Sequence, residues 1–296
     1  MAETNLIKKA DLARVREVDF VTSFSGSIKK LVEALGVTRK IAKQAGTVLK
    51  VHTVSGTLGN GIVAEGDTIP LSKYTTTETP VGEMTLLKWR KATSAEAIID
   101  RGYDQAVSET TDKMLKDVQK KVKSDFFTFL SGVTSTSTAT GADLQSALAD
   151  AWGELQILFE DDDIESVYFL NPKDVSKYLG AAQISTQTAF GMTYIENFLG
   201  LGTVILNSAV TEGSFYATAK DNIVLYYIPV NGADLNEAFS FTSDETGYIG
   251  IHEEPDYTNM TASDTVVEGI KLFADYANGI VKGTITATTA TTEGEH

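Results

Sequence analysis

The chain has 296 residues, of which 42% are hydrophobic, enough for a folded core. It contains no cysteine, which excludes disulfides, thiolate metal sites and cysteine nucleophiles. The net charge is −15, but residues 1–130 hold 20 basic against 16 acidic side chains, whereas residues 131–296 hold 5 against 24. This uneven charge distribution favours contact between the basic half of one subunit and the acidic half of the next. Two alternatives fit the same composition: an acidic surface that is simply solvated, and a basic arm that contacts nucleic acid through charge alone.

The first 38 residues predict an extended amino-terminal arm with one short helix, at Ser27 to Leu35, which ends at Gly36. Basic side chains are concentrated in this arm, among them Lys29 and Lys30, and we expect the arm to pack on a neighbouring subunit. The chain shows neither the apolar core of a secretory signal nor an apolar run of membrane-spanning length. We therefore expect synthesis in the cytosol and no membrane partner.

Residues 52–81 predict a long hairpin arm. The segment is rich in Gly and Thr, is longer than most connections within a domain, and lies between alternating stretches at 46–54 and 83–91. A lone two-stranded ribbon is marginally stable in water. Its apolar side chains, which need another surface, are Leu58, Ile62, Val63, Ile69, Leu71 and Tyr74. We expect that surface to belong to another subunit.

A long amphipathic helix is predicted next, with Thr93 or Ser94 as its N-cap and its end near Leu130. A helix of about 35 residues is on the order of 50 Å long, enough to span an elongated subunit. Acid-before-base pairs, Asp112 with Lys116 and Asp117 with Lys121, have the favourable spacing of four.

After a low-complexity stretch at 131–141, a second amphipathic helix is predicted from Asp143 to Phe159. Its apolar stripe comprises Leu144, Leu148, Trp152, Leu155 and Phe159. The strands predicted beyond it are 167–170, 203–206, 215–219, 223–228, 248–252 and long alternating strands within 265–285, with a turn at Asn171-Pro172 and a short helix at 173–179. The Thr/Ala-rich tail at 286–296 predicts disorder.

No segment predicts an active site, a cofactor site or a metal site. His52 and His252 lack ligand spacing around them, and His296 is the last residue of the tail. The acidic run at 160–163 could bind a hard cation but is more often a solvated loop. The glycines at 59–61 do not match a nucleotide fingerprint. We therefore expect a protein that is not an enzyme.

The order of these parts, together with several short motifs, resembles the major capsid proteins of tailed bacteriophages, which have the HK97-like fold. Residues 63–70, VAEGDTIP, are similar to the recurrent E-G-x-x-x-P segment of that family, and residues 167–174, VYFLNPKD, are similar to its strand followed by an N-P turn. Residues 200–208, GLGTVILNS, resemble a further strand, and 266–285 resemble the terminal strands. The resemblance covers most of residues 36–285.

This resemblance implies an α+β chain with an amino-terminal arm, an extended loop, a peripheral domain with a long spine helix, and an axial α/β domain. The implied boundaries are 1–38 for the arm, 39–93 for the extended loop with its flanking strands, 94–141 for the spine helix, 142–245 for the axial domain, 246–285 for return strands of the peripheral domain, and 286–296 for the tail.

The resemblance also implies a function, namely self-assembly into hexamers and pentamers of an icosahedral phage head that encloses double-stranded DNA. Implied partners are a separate scaffold protein, a portal protein and a decoration protein; the implied location is the virion, after assembly in the host cytoplasm. Intersubunit contacts are expected at Glu65, Asp67, Ile69, Lys73, Tyr74, Trp89, Arg90, Lys29 and Lys30. An encapsulin-type compartment shell, or a phage tail or adhesin component, would be the alternatives.

Overall fold

The structure, a computed structural model, describes residues 9–37, 39–133, 137–159, 164–181, 186–189, 192–232, 235 and 238–286. It is an α+β fold, as the sequence predicts. The helices are α1 (Lys9–Ala34), α2 (Ala95–Arg101), α3 (Glu109–Gly132), α4 (Leu144–Leu158) and α5 (Pro172–Ala181). The strands are β1 (Arg39–Ala42), β2 (Val48–Thr57), β3 (Lys73–Glu83), β4 (Leu87–Ser94), β5 (Ser137–Gly141), β6 (Ser166–Leu170), β7 (Gln187–Ala189), β8 (Met192–Phe198), β9 (Gly202–Leu206), β10 (Ser214–Ala219), β11 (Ile223–Tyr227), β12 (Ile249–Asp256), β13 (Thr261–Glu268), β14 (Ile270–Ala274) and β15 (Ile280–Ile285).

The largest sheet has seven strands in the order β5-β15-β10-β6-β9-β8-β7. Every residue of β6 is buried, because helices cover both faces of the sheet at this strand. On one face Tyr168 and Leu170 belong to the core cluster beneath α4. On the other face Phe169 makes edge-to-face contacts with Phe126 and Phe127 of α3, at centroid distances of 5.4 and 5.7 Å.

Helix α4 begins where the sequence predicts. Asp143 caps it by accepting a hydrogen bond from the backbone N–H of Ser146 at 2.7 Å, and Ser146 bonds back to complete a capping box. The predicted stripe is wrong at Trp152, which is 42% exposed. Ala147 and Ala151 are fully buried instead, because small side chains let the helix lie close to the sheet.

Strand β15 lies in the seven-stranded sheet, antiparallel to β10 and parallel to β5. The predicted grouping of residues 280–285 with the return strands of a peripheral domain stays a prediction. Strand β15 is buried on both faces, since Ile280 packs in the cluster beneath α3 and Val281 in the cluster beneath α4. A strand with two apolar faces is stable inside a covered sheet.

The predicted uninterrupted helix from 94 to 130 is wrong, although its cap is confirmed. The hydroxyl of Ser94 accepts a hydrogen bond from the N–H of Ala97 at 3.3 Å. Helix α2 then ends at Gly102, whose φ of 81° lies where glycine is favoured, and a π-helical turn at Asp104–Ser108 leads into α3. The long rod is therefore a short helix followed by a helix of 24 residues.

The ion pairs on α3 also differ from the predicted ones. They join Lys113 to Asp117 and Lys121 to Asp125, with the base preceding the acid. The predicted pair of Asp117 with Lys121 does not form, because each of the two side chains is paired with a different residue. Both observed pairs are exposed, and such pairs contribute little to stability.

The prediction of an extended arm with one short helix at 27–35 is wrong, because helix α1 runs from Lys9 to Ala34. It has 26 residues, and the apolar spacing seen at Ile28 and Leu31 continues backward through Phe24 and Phe20, all of them buried. Gly26, a poor helix former, obscured this continuity in the sequence. The carboxylate of Glu17 fixes the helix to its own subunit by accepting hydrogen bonds from the Glu253 N–H at 2.6 Å and from the Thr242 hydroxyl. The described part of the predicted arm therefore packs against its own subunit.

Strand β3, and not 83–91, is the partner of β2 in the hairpin arm. The run of threonines in β3 shows no apolar alternation, so the sequence pattern does not predict this strand. Strand β4 leaves the hairpin and pairs with β13 in a sheet of order β12-β13-β4. A further sheet has the order β1-β11-β14. Among the described residues, the helices lack the combination of length and apolar character that a membrane crossing requires.

Candidate intersubunit surface

The hairpin formed by β2 and β3, called the ribbon here, is anchored at its base in the part of the chain that the structure describes. Leu49 and Val51 on β2 are buried in a small core cluster with Met84 and Phe273. The N–H of His52 donates to the carbonyl of Asp275 at 3.0 Å. Beyond His52 the side chains of β2 are exposed or half-buried, so the ribbon leaves the body of the subunit at this point.

The middle of the ribbon is polar on both faces apart from Val54, which is 55% exposed. Its cross-strand partners include Thr53 with Thr77 and Ser55 with Thr75, whose β-branched or small hydroxyl side chains suit an extended ladder in water. No apolar face is available here to hold the ribbon against the body, so its cross-strand hydrogen bonds keep it extended.

An ion pair strengthens the ribbon near its base. The ammonium group of Lys50 lies 2.6 Å from the carboxylate of Glu78. This hydrogen bond and charge hold the pKa of Glu78 below its usual value. Both side chains are nearly half exposed, which limits what the pair adds to stability.

The end of the ribbon, residues 58–74, presents large apolar side chains to solvent. Leu71 is 96% exposed and Ile62 is 89% exposed. Leu58, Ile69 and Tyr74 are also more than half exposed. Folded monomers seldom leave several large apolar side chains together on one projecting segment, and where they do the segment is usually an interaction site. We call residues 58–74 the ribbon tip.

Local hydrogen bonds shape the ribbon tip. The N–H of Gly59 donates to the hydroxyl of Ser72 at 2.9 Å, and the N–H of Asp67 donates to the carbonyl of Ala64 at 3.1 Å. Glu65 and Asp67 are exposed at this turn, where Gly66 has a φ of 90°. The tip thus displays two carboxylates between its apolar side chains.

The structure brings five of the predicted contact residues together and leaves four elsewhere. Glu65, Asp67, Ile69, Lys73 and Tyr74 lie on the ribbon tip. Trp89 and Arg90 lie on β4, where Trp89 packs partly buried against the main core and Arg90 donates to the hydroxyl of Ser263 at 2.9 Å. Lys29 and Lys30 are exposed on α1. Trp89 is therefore largely committed to its own subunit.

An open groove of about 780 Å³ lies beneath the ribbon base. Leu49 and Val51 line it from the ribbon, Phe129 from α3, and Phe273 and Lys271 from β14. Phe129 stacks on Phe273 at a centroid distance of 4.5 Å, which fixes α3 against β14. No sequence signal marks the groove, since its lining comes from three distant segments.

The described residues contain no cluster of three or more His, Cys, Asp or Glu side chains placed to hold a metal ion. The acidic run at 160–163 lies outside the described residues. His52 is 3.8 Å from Glu78 on the exposed ribbon, where the pair has no further ligand-type side chain beside it in the described part of the chain.

Comparison with known proteins gives likenesses of structure only. No family model matches the sequence, and no curated protein matches it. Among solved structures, the capsid of cyanophage A-1(L) has a TM-score of 0.56 at 12% identity, covering 87% of this chain and 93% of that one. The SrpI encapsulin of Synechococcus elongatus PCC 7942 has a TM-score of 0.53 at 10% identity, covering 90% and 91%.

The capsid of an empty GTA particle is similar too, with a TM-score of 0.51 at 12% identity and coverage of 86% and 90%. At such low identities these likenesses establish the fold and leave the function to other arguments. Each likeness covers 86–90% of this chain and 90–93% of the other. The chain therefore has the HK97-like fold, the fold seen in phage capsids and encapsulins.

Proposed function

We propose that the protein builds a closed shell from many copies of itself, and that the ribbon is the clasp between copies. The single observation that carries this proposal is the ribbon tip, where Leu71 and Ile62 are almost fully exposed on a segment that projects from the body. The HK97-like fold supports it, because the similar structures are capsids and an encapsulin. The proposed role is structural and not enzymatic.

The energetics favour a clasp of this kind. Burying one Leu, Ile or Tyr side chain contributes roughly 1.5–3 kcal/mol. Five such side chains on the ribbon tip therefore offer on the order of 10 kcal/mol before the costs of association and ordering. The carboxylates of Glu65 and Asp67 add charge that suits a basic surface on the neighbouring copy, and they would set orientation more than affinity.

We assign the parts of the subunit accordingly. The ribbon would be the extended loop, α3 the spine of the peripheral domain, residues 142–245 the axial domain near the five-fold and six-fold centres, and residues 246–285 the return strands of the peripheral domain. Trp89, Arg90, Lys29 and Lys30 stay predicted contacts; of these, the exposed lysines on α1 are free of the core and suit an interface better than Trp89 does.

We further propose that the shell is the head of a tailed phage enclosing double-stranded DNA. The motifs at 63–70 and 167–174 support this choice, as does the net charge of −19 on residues 131–296, because an acidic inner surface would not hold DNA tightly. Scaffold, portal and decoration proteins would be its partners, and assembly in the host cytoplasm would precede release as a virion.

An encapsulin-type compartment is the second candidate, since the encapsulin likeness is nearly as close as the cyanophage one. The two candidates predict different contents and neighbours. A head protein should be encoded beside a terminase and a portal, and its shells should hold nucleic acid. A compartment protein should be encoded beside a cargo enzyme, and its purified shells should hold that protein.

The experiment is expression of the full chain with electron microscopy of the purified protein. The test variant replaces Ile62, Ile69 and Leu71 with Ser, and the matched control replaces them with Val, Val and Met. We expect shells from the natural chain and the control, and folded but unassembled subunits from the serine variant. Natural protein that stays monomeric at high concentration would refute the shell, and a serine variant that assembles normally would refute the clasp.

A further inference from the structure

Glu268, the last residue of β13, is a carboxyl group with no exposed surface. Its Oε1 accepts a hydrogen bond from the N–H of Ile270 at 2.6 Å. Its Oε2 has no hydrogen-bond partner among the described residues. A buried oxygen left without a partner costs free energy, and the cost is greater when the group is ionised. The proposed shell contacts make no use of this residue.

The surroundings of Glu268 offer it little compensation. Its cross-strand partners are Leu87 on β4 and Ile249 on β12, both apolar. The charged groups that act on it from α3 are Asp125 and Lys121, which are paired with each other. Burial raises the pKa of Glu268 to about 8; the Ile270 N–H and Lys121 oppose this rise, and Asp125 adds to it.

The position of Glu268 gives its protonation state a mechanical consequence. It stands at the joint where β13, paired with β4, passes into β14, paired with β11. The joint is tightly built, because a Cβ added at Gly269 would lie 2.8 Å from the Cβ of Ile228. Helix α3 packs against β14 and shares a core cluster with Val266 and Ile270 on either side of this joint. Phe129 of α3 stacks on Phe273 at the groove beneath the ribbon base.

We propose that Glu268 is a proton-controlled switch that sets how closely α3 packs on the joint between β13 and β14, and through α3 shapes the groove beneath the ribbon. The protonated, neutral carboxyl group stays buried. When its proton passes to solvent, the carboxylate lies beside Asp125 with an unpaired oxygen, and the joint opens to hydrate it. The switch resides in the single subunit, so it goes beyond the shell proposal and does not depend on it.

The direction of the effect follows from proton binding. In the open, solvated state the carboxyl group titrates near its ordinary pKa of 4.5, whereas in the closed state it keeps its proton up to about pH 8. Between these values only the closed state binds the proton. The equilibrium constant for opening should therefore rise about tenfold for each pH unit in this window and level off above it.

The test is hydrogen exchange with mass spectrometry on the full chain at pH 6, 7, 8 and 9, corrected for the intrinsic exchange rate. In the natural protein we expect peptides of α3 and β14 to show an opening constant that rises about tenfold from pH 6 to 7, rises less from pH 7 to 8 and levels off above that. In Glu268→Gln, which keeps the shape but cannot ionise, this rise should disappear. Peptides of α4, which packs against a different core cluster, serve as the internal reference.

An equal pH dependence in Glu268→Gln, or none in the natural protein, would refute the switch. If Glu268→Gln fails to fold, Asp125→Asn gives an independent test, because losing the neighbouring negative charge should move the levelling-off point to lower pH. An unmoved levelling-off point in Asp125→Asn would then refute the proposal. These readouts hold for isolated subunits, so they are separate from success or failure of shell assembly.

Discussion

The ammonium group of Lys91 on β4 lies 3.0 Å from the carboxylate Oδ2 of Asp264, its direct cross-strand neighbour on β13. The same oxygen accepts a hydrogen bond from the Thr111 hydroxyl, with 2.8 Å between the two oxygens. Lys91 also donates a hydrogen bond to the carbonyl of Val107 at 2.9 Å. The side chain of Asp264 is 3% exposed. This pair therefore ties the β12-β13-β4 sheet to the π-helical turn that starts α3.

Replacing Lys91 by Met should destabilise the subunit by about 3–5 kcal/mol, because it removes the ammonium group that lies 3.0 Å from a buried carboxylate. The matched control is Lys113→Met, which breaks the exposed pair with Asp117 and should cost at most about 1 kcal/mol. Urea unfolding of unassembled protein measures both. Equal losses in the two variants would contradict this account, and adding Asp264→Leu to Lys91→Met should recover part of the loss.

Removing the carboxylate of Glu17 should loosen α1. Glu17→Ala loses the hydrogen bonds from the Glu253 N–H and the Thr242 hydroxyl, and we expect a cost of about 1–3 kcal/mol. The control is Asp19→Ala, an exposed position on the same helix. Limited proteolysis should cut within α1 faster in the Glu17 variant than in the Asp19 variant. Similar cleavage rates would show that the carboxylate does not hold the helix.

The ribbon offers a test at Gly56, which stands opposite Tyr74. A Cβ added at Gly56 would lie 2.2 Å from Cδ1 of the Tyr74 ring, so Gly56→Ala must displace that ring. We expect shell formation to fall strongly while the free energy of unfolding changes by less than about 1 kcal/mol, since the ribbon is exposed. Gly61→Ala, which meets open space, is the control.

Electron microscopy measures shell formation by the two glycine variants, and urea unfolding measures their free energies of unfolding. Normal assembly of Gly56→Ala would show that the position of the Tyr74 ring is not needed in the contact. A large loss of subunit stability would show instead that the ribbon packs on its own body.

Particular residues show what the sequence could reveal. The capped start of α4 at Asp143 and the buried strand β6 are local signals, carried by side chains within one turn or one strand, and they were predictable. The ribbon was predictable as a feature because its length and composition are unusual. Its partner strand was not, since threonines on both faces leave no apolar alternation to detect.

Other features depend on contacts that are distant in sequence. Glu17 meets β12 more than 200 residues away, and nothing near it in the chain indicates that α1 continues back past Gly26. Trp152 follows the helical spacing of its neighbours, yet small alanines and not the indole face the sheet. The groove is lined by residues of β2, α3 and β14, which are far apart in the sequence. The burial of Glu268 has no local sequence signal, because a glutamate at the end of a strand is usually exposed.

The place of β15 between β5 and β10 has a consequence for biosynthesis. Until residues 280–285 have left the ribosome, the largest sheet has an open gap and two unpaired edges. Such edges can pair with other chains, so the interval before closure is when a nascent subunit is most prone to aggregate. The sheet is therefore completed only after residues 280–285 have been made, and the ribbon, which is made much earlier, projects until then from an incompletely folded subunit.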